Sequence, residues 1–270
     1  MHRRKLIPLL AGVILLGLFT AAAICPRLFT AYGPKEAFSA WQAPGNGHLL
    51  GTNALGYDIF TEVVYGTADT LVIGLASSIL TMLLGTVIGT LAAADGPVGG
   101  LFNGLINVFM LLPRLISLIV IAAFVGSGRI HLILLIAAFG WVGTARAVRA
   151  QVQHLHTQPF IEACTVQGFS RLHIAVHHIV PNLWELLLSR FLLGVNSCIM
   201  MESTLSFLGF GDLYHPTWGT MINFAYKRGA FLRQAYAYLL VPGLCIMLLS
   251  MAFYLISLWM DAGRETIKEQ

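Results

Sequence analysis

Glu162-Ala163-Cys164-Thr165-Val166-Gln167-Gly168, followed by His178-Ile179-Val180-Pro181-Asn182, stands out as a polar, punctuated run in an apolar chain. It reads as a short helix, a turn at Gly168, and a second helix stopped near Pro181. An acid at the start of a helix suits the positive end of the helix dipole. Small side chains at Ala163 and Gly168 let another backbone approach closely. Phe160, Ile161, Val166 and Phe169 supply apolar teeth. This chemistry fits a helix lodged in a groove of another protein. It fits equally an amphipathic helix lying on lipid headgroups.

Two charges within long apolar stretches carry the most weight. Arg114 follows Pro113, and Glu202 lies in Met200-Met201-Glu202-Ser203. A charge inside a bilayer costs at least about 2.5–3.5 kcal/mol on insertion scales, so it faces a cavity or a partner. Glu202, with Met201 and Ser203, is the expected pathway or gate. Arg114 is the expected structural charge, its guanidinium held by carbonyls freed where Pro113 kinks the helix.

The nine histidines offer one metal-like spacing, His173 and His177 at i, i+4. They lie beside His178 in the polar run, where a solvated or partner-facing surface is the expectation. His154 and His156 read as interfacial, and His48 and His215 have no evident partner. Cys25, Cys164, Cys198 and Cys245 are widely spaced without a C-x-x-C and read as small apolar residues. No metal ligand set and no cofactor site are expected. The chain has no G-x-x-x-x-G-K-[ST] phosphate loop, no H-E-x-x-H and no G-x-S-x-G. No catalytic residue is therefore assigned.

The elements that position these residues follow from composition. The 270 residues are 57% hydrophobic and only 10% charged, against about 25% charged in soluble domains. Mean hydropathy is +0.78. These values exclude an ordinary soluble enzyme, a disordered protein and a nucleic-acid-binding domain. A crossing helix needs about 20 apolar residues. Six stretches qualify, near Leu6–Leu28, Thr70–Ala94, Leu101–Val125, Ile130–Val148, Leu183–Leu208 and Tyr236–Met260. An all-α integral membrane protein with six transmembrane helices is predicted. The first stretch is read as an uncleaved helix rather than a signal peptide.

Arg3, Arg4 and Lys5, then Arg146, Arg149 and Arg171, then Arg264 and Lys268 fall on one side of such a topology. The positive-inside rule makes that side, and both termini, cytoplasmic. Lys227, Arg228 and Arg233 fall on the other side, a smaller set, so the rule favours this orientation. Trp41, Trp141, Trp218 and Trp259 lie near span ends and read as interface anchors. Gly85 and Gly89 form a G-x-x-x-G for close helix packing.

The spacing E-A-A-x3-G-x9-I-x-L-P resembles the loop signature of ABC-importer permeases. Glu162, Ala163, Gly168 and Pro181 match in register, while Cys164 replaces the second Ala, His178 stands for Ile and Val180 for Leu. The ending His178–Asn182 resembles the dipeptide, oligopeptide and nickel permeases. So do His48–Phe60, with Asn53 and Tyr57 departing from Asp and Arg, Leu205–Gly211, and Pro216–Gly219.

The resemblance covers roughly His48 to Asp261 and fits the second of two permease subunits. It implies a type I ABC-importer permease bundle in a bacterial or archaeal cytoplasmic membrane. It implies a partner permease, two cytoplasmic ATPase subunits that hold the ATP and Mg, and an extracytoplasmic solute-binding protein. Glu162, Ala163, Cys164, Gly168, Arg171, His178 and Pro181 would form the ATPase-coupling loop. Peptides are the leading solute class and nickel or a chelated metal the alternative. A non-transport membrane scaffold, or an exporter or channel with its own gating, is the alternative from another class. The expected division is an N-terminal helix and outer-loop start over 1–47, a permease core over 48–262 and a cytoplasmic tail over 263–270.

Overall fold

The computed structural model describes residues 2–45 and 47–268, with side chains described except at 2–6, 165, 171, 172 and 261–268. The Arg171 side chain, part of the expected coupling set, thus lies outside the described residues. Helix α1 (His2–Ile24) leads into a short 3-10 turn at Pro26–Leu28 and an irregular segment before α2. There follow α2 (Ile59–Ala92), α3 (Pro97–Leu111), α4 (Arg114–Val125), α5 (Arg129–Gly140) and α6 (Val142–His156). The loop holds α7 (Pro159–Val166), α8 (Arg171–Ile174) and α9 (Val180–Asn182). The chain ends in α10 (Trp184–Leu205), α11 (Trp218–Lys227) and α12 (Tyr236–Lys268).

Four helical stretches, Ile7–Ile24, Ile59–Ala92, Trp184–Phe210 and Tyr236–Met260, are each long and apolar enough to cross a membrane. Two more crossings are bent pairs. α3 and α4 meet at 88°, and α5 and α6 at 41°. The third crossing, expected as one kinked helix, is therefore a full break. Leu112 is extended at ψ 127° and Pro113 at ψ 104°. The residue before a proline is pushed out of the helical region, and the proline has no N–H for the ladder.

The second crossing starts earlier than its apolar run. Asp58 caps α2, its Oδ1 accepting the Thr61 amide at 2.7 Å and its Oδ2 lying 2.9 Å from His48 Nδ1. At 34 residues α2 spans about 50 Å, more than the roughly 30 Å hydrocarbon layer. The helix is therefore longer than a bilayer crossing requires, and Glu62 and Asp69 lie toward its N-terminal end.

α2 is the shaft of the bundle, packing against α10, α6, α5, α1 and α3. Its contact face is made of small residues. A Cβ at Gly85 would lie 2.6 Å from Thr144 Cβ, and one at Gly89 would lie 2.5 Å from the Ala145 carbonyl oxygen. A Cβ at Gly74 would meet Ile199. Ser78 Oγ donates to the Phe191 carbonyl at 3.0 Å across to α10. α1 and α12 pair on one flank, and α11 lies between α12, α10 and α2.

Two of the tryptophans read as anchors differ from expectation. Trp218 is fully buried, edge-on to Phe19 at 5.4 Å, with Nε1 donating to the Val63 carbonyl. Trp141 is also buried, its Nε1 donating to Ala138. Both are core residues rather than interface anchors. A wide indole with one polar atom buries well where a helix carbonyl meets it.

Gly85→Val is expected to destabilise the purified protein by about 1–3 kcal/mol through overpacking on α6. Gly104→Ala, with open space around it, is expected to be neutral or slightly stabilising. Thermal unfolding in detergent checks both; equal midpoints for the two variants would remove the close-packing role of α2.

Candidate functional site

The polar loop is built on the ends of α6 and α10. Ile161, Ile174, Ile179 and Leu183 turn inward onto Val148, Val152 and Leu155, with Cys164 partly buried beside them. This small core fixes the loop to both helices. Ile161, expected among the outward teeth, is therefore a root. The outward face keeps Val166, 83% exposed, with Phe160, Phe169, Glu162 and Ala163. Gly168 ends α7 at φ +83°. The Phe169 amide donates to the Cys164 carbonyl and the Gln167 amide to Ala163, a Schellman-type close that needs a left-handed residue.

The second half of the loop differs from expectation at Pro181. No helix stops there; Pro181 sits in the first turn of the short α9 that leads into α10. The adjustment is a widened, π-type turn over Ala175–Ile179, in which the Val180 amide reaches back to the Ala175 carbonyl. A proline ring clashes with the carbonyl four residues back, and the widened turn relieves this without ending the chain's helical course. Phe169, His173 and His177 form a stack, with ring centroids 4.8 Å and 4.3 Å apart. His178 is half-buried beside them. Among the described residues no group of three or more His, Cys, Asp or Glu is placed to hold a metal ion.

Glu202 is 0% exposed in this chain. Its Oε1 accepts hydrogen bonds from Ser206 Oγ at 2.7 Å and Thr217 Oγ1 at 2.6 Å, and its Oε2 accepts one from Ser203 Oγ at 3.3 Å. Met201 packs at the edge of an apolar cluster with Leu205 and Cys198. The carboxylate thus clasps α10 to the start of α11 instead of facing a pathway. Thr217 caps α11 in a reciprocal box with Thr220. The Trp218 amide donates to Thr70 on α2. Gly219 crosses Ser203 so closely that a Cβ would lie 2.8 Å from its backbone.

The stretch Leu205–Gly211 makes the link to this clasp. α10 widens over Ser206–Phe210, and Gly209 turns it at φ +103°. Beyond that turn, Asp212 receives the amides of Tyr214 at 2.7 Å, Arg129 at 3.2 Å and His215 at 3.4 Å. Burial raises this carboxyl, and the three amides outweigh it, leaving Asp212 below the usual aspartate range. Arg129 also pairs with Asp69 at 3.0 Å.

Arg114, expected to be structural, stands on a cavity wall. The space, about 350 Å³, lies where α3 breaks into α4 and α5 bends into α6, and α10 closes it. Arg190 lines it too. Arg190 was legible as a third charge between Leu183 and Leu208. With Leu193, Gly194, Ser197 and Cys198 it forms an i, i+3, i+4, i+7, i+8 stripe on α10.

Asn53 was seen only as a departure. Its Oδ1 accepts the Leu55 and Tyr57 amides, and its Nδ2 donates to Glu62 Oε2 at 2.8 Å. An aspartate there would set two carboxylates together, so the amide suits Glu62 on α2.

Broken crossings around a polar cavity, and a structured polar loop between two of them, define a polytopic helical membrane transport component. The chain belongs to the family of binding-protein-dependent transport system inner membrane components, whose profile matches residues 85–265. It is similar to the oligopeptide transport system permease protein OppC of Mycobacterium tuberculosis (strain ATCC 25618 / H37Rv), 30% identical over 221 residues that cover 78% of this chain and 73% of that protein. It is also similar to the dipeptide transport system permease proteins DppC of Alkalihalophilus pseudofirmus, 30% identical over 251 residues covering 92% and 82%, and of Bacillus subtilis (strain 168), 31% over 218 residues covering 79% and 68%.

Glu202→Gln keeps an acceptor for Ser206 and Thr217 and can donate to Ser203, so near-native stability is expected. Glu202→Leu strands three buried hydroxyls and is expected to cost about 2–4 kcal/mol. Thermal unfolding, with proteolytic cleavage between 207 and 217 as a local probe, separates them; equal losses would show that the hydroxyl clasp does not hold α11.

Proposed function

We propose that this chain is a permease subunit of an ATP-driven peptide importer, forming half of the pathway in the cytoplasmic membrane with both termini inside. A second permease supplies the other half. Two ATPase subunits bind the cytoplasmic faces and carry the ATP and Mg, and an extracytoplasmic binding protein delivers solute. The similarity to oligopeptide and dipeptide permease proteins supports peptides as the solute class in preference to nickel.

The observation that carries this reading is the build of the 159–183 loop. Its outward face offers Glu162, Val166 and the Gly168 turn, while its inward face is rooted on α6 and α10. Those two helices also carry cavity walls, at Val142–Thr144 and at Arg190–Cys198. A push on the loop by an ATPase subunit therefore reaches the cavity through two packed helices. Nucleotide binding then biases a two-state bundle by its differential contact with the two states. A headgroup-lying helix has no need of this double root.

Gly168→Asp and Glu162→Arg are expected to insert normally and to uncouple the complex. Peptide uptake into proteoliposomes should fall at least about tenfold while ATP hydrolysis persists, a coupling loss of roughly 1.4 kcal/mol or more. Co-purification from gently solubilised membranes should recover a second permease and P-loop ATPases. Normal uptake by both variants removes the coupling role, and recovery of the chain alone favours a scaffold.

A further inference from the structure

We propose that the cavity lined by Arg114 and Arg190 is a carboxylate subsite, which takes the anionic end of the transported solute as it passes. This deepens the importer reading and rests on it.

The charge balance of the cavity points one way. Two arginines line it and no acidic side chain does. The ion pairs His48–Asp58, Arg129–Asp69 and His215–Asp69 lie elsewhere. Arg114 Nη1 donates to Ser197 Oγ at 3.1 Å, and Arg114 Nε is buried with no acceptor. Gly140 leaves room for this guanidinium, since a Cβ there would lie 3.3 Å from Nη2.

The backbone does not cancel the arginines. Each break brings one helix C-terminus (α3, α5) and one N-terminus (α4, α6) to the same level. Their opposite end charges offset each other, so the arginines set the sign. A guanidinium with one hydroxyl partner and no counter-charge, in a low-dielectric wall, retains donors for a planar anion. The remaining wall is apolar at Phe109, Met110, Leu112 and Leu193. Such a site fixes the one anionic group that every unmodified peptide shares and leaves side chains to unselective contact. Its volume falls within the roughly 300–1,000 Å³ of small-ligand pockets.

The test uses the whole transporter in phosphatidylcholine nanodiscs, with Leu193→Cys as reporter and the four native cysteines replaced by Ala. Labelling rates are compared for an anionic and a cationic methanethiosulfonate, each normalised to a free thiol. The anionic reagent should react about tenfold faster. Arg114→Gln and Arg190→Gln should bring the ratio toward one, and Arg114→Lys should preserve it. Millimolar trialanine should slow labelling, and trialanine amide should not.

A ratio indifferent to both arginines, or equal protection by acid and amide, overturns the subsite. So does a reporter thiol that reacts in the isolated chain and not in the transporter, because the partner permease then fills the space. Protection by added phosphatidylglycerol without protection by trialanine also overturns it, in favour of a lipid headgroup. Peptide-stimulated ATP hydrolysis is read on the same sample. Its presence without charge preference sinks the subsite alone, whereas absence of ATPase subunits sinks the importer reading.

Discussion

Close approach of helices to α2 is the constraint on which the rest depends. Lipid tails are as apolar as leucine, so helices in a bilayer gain little from hiding apolar side chains and associate by tight packing and hydrogen bonds. α2 meets that requirement with Gly74, Gly85 and Gly89 set against Ile199, Thr144 and Ala145, and with Ser78 bonded to Phe191. Its partners α6 and α10 are thereby held at fixed height along one shaft. The loop roots and the cavity walls belong to those same two helices.

Two buried charges on this frame are treated in opposite ways. Glu202 is saturated by the hydroxyls of Ser203, Ser206 and Thr217 and has no access to water. That is how a bilayer protein pays for a carboxylate that serves packing. Arg114 has one hydroxyl partner, an unsatisfied Nε and open space in front of it. The contrast tracks the backbone. Irregular chain at membrane depth is tolerated where it is buried in protein or lines a cavity. The turn after α10 takes the first course, and the breaks at Pro113 and Trp141 take the second.

The loop joins these parts under the proposed function. Its inner residues Ile161, Ile174, Ile179 and Leu183 are continuous with α6 and α10. The widened turn at Ala175–Ile179 keeps that course through Pro181. A stopped helix would have left a hinge between the loop and α10. The continuous path makes the loop a lever, with the Gly168 turn at its exposed tip.

Composition and periodicity alone settled that the chain is a helical membrane protein. Apolar runs of bilayer length have few other ways to satisfy their backbone, so the approximate spans were legible. The loop was legible too, because Glu162, Gly168 and Pro181 are local signals of a helix start, a left-handed turn and a break. Tertiary structure decided what local pattern does not encode. Glu202 looked like a pathway residue because the partner that ties it to α11, Thr217, lies fifteen positions away across a glycine turn. Trp218 looked like an anchor because its burial comes from Phe19 and Val63, distant in sequence. Arg114 looked structural, and only the meeting of two helix breaks with one face of α10 set it on a cavity. A charge in a span has the same cost wherever it points; which partners arrive to meet it depends on how separate helices pack.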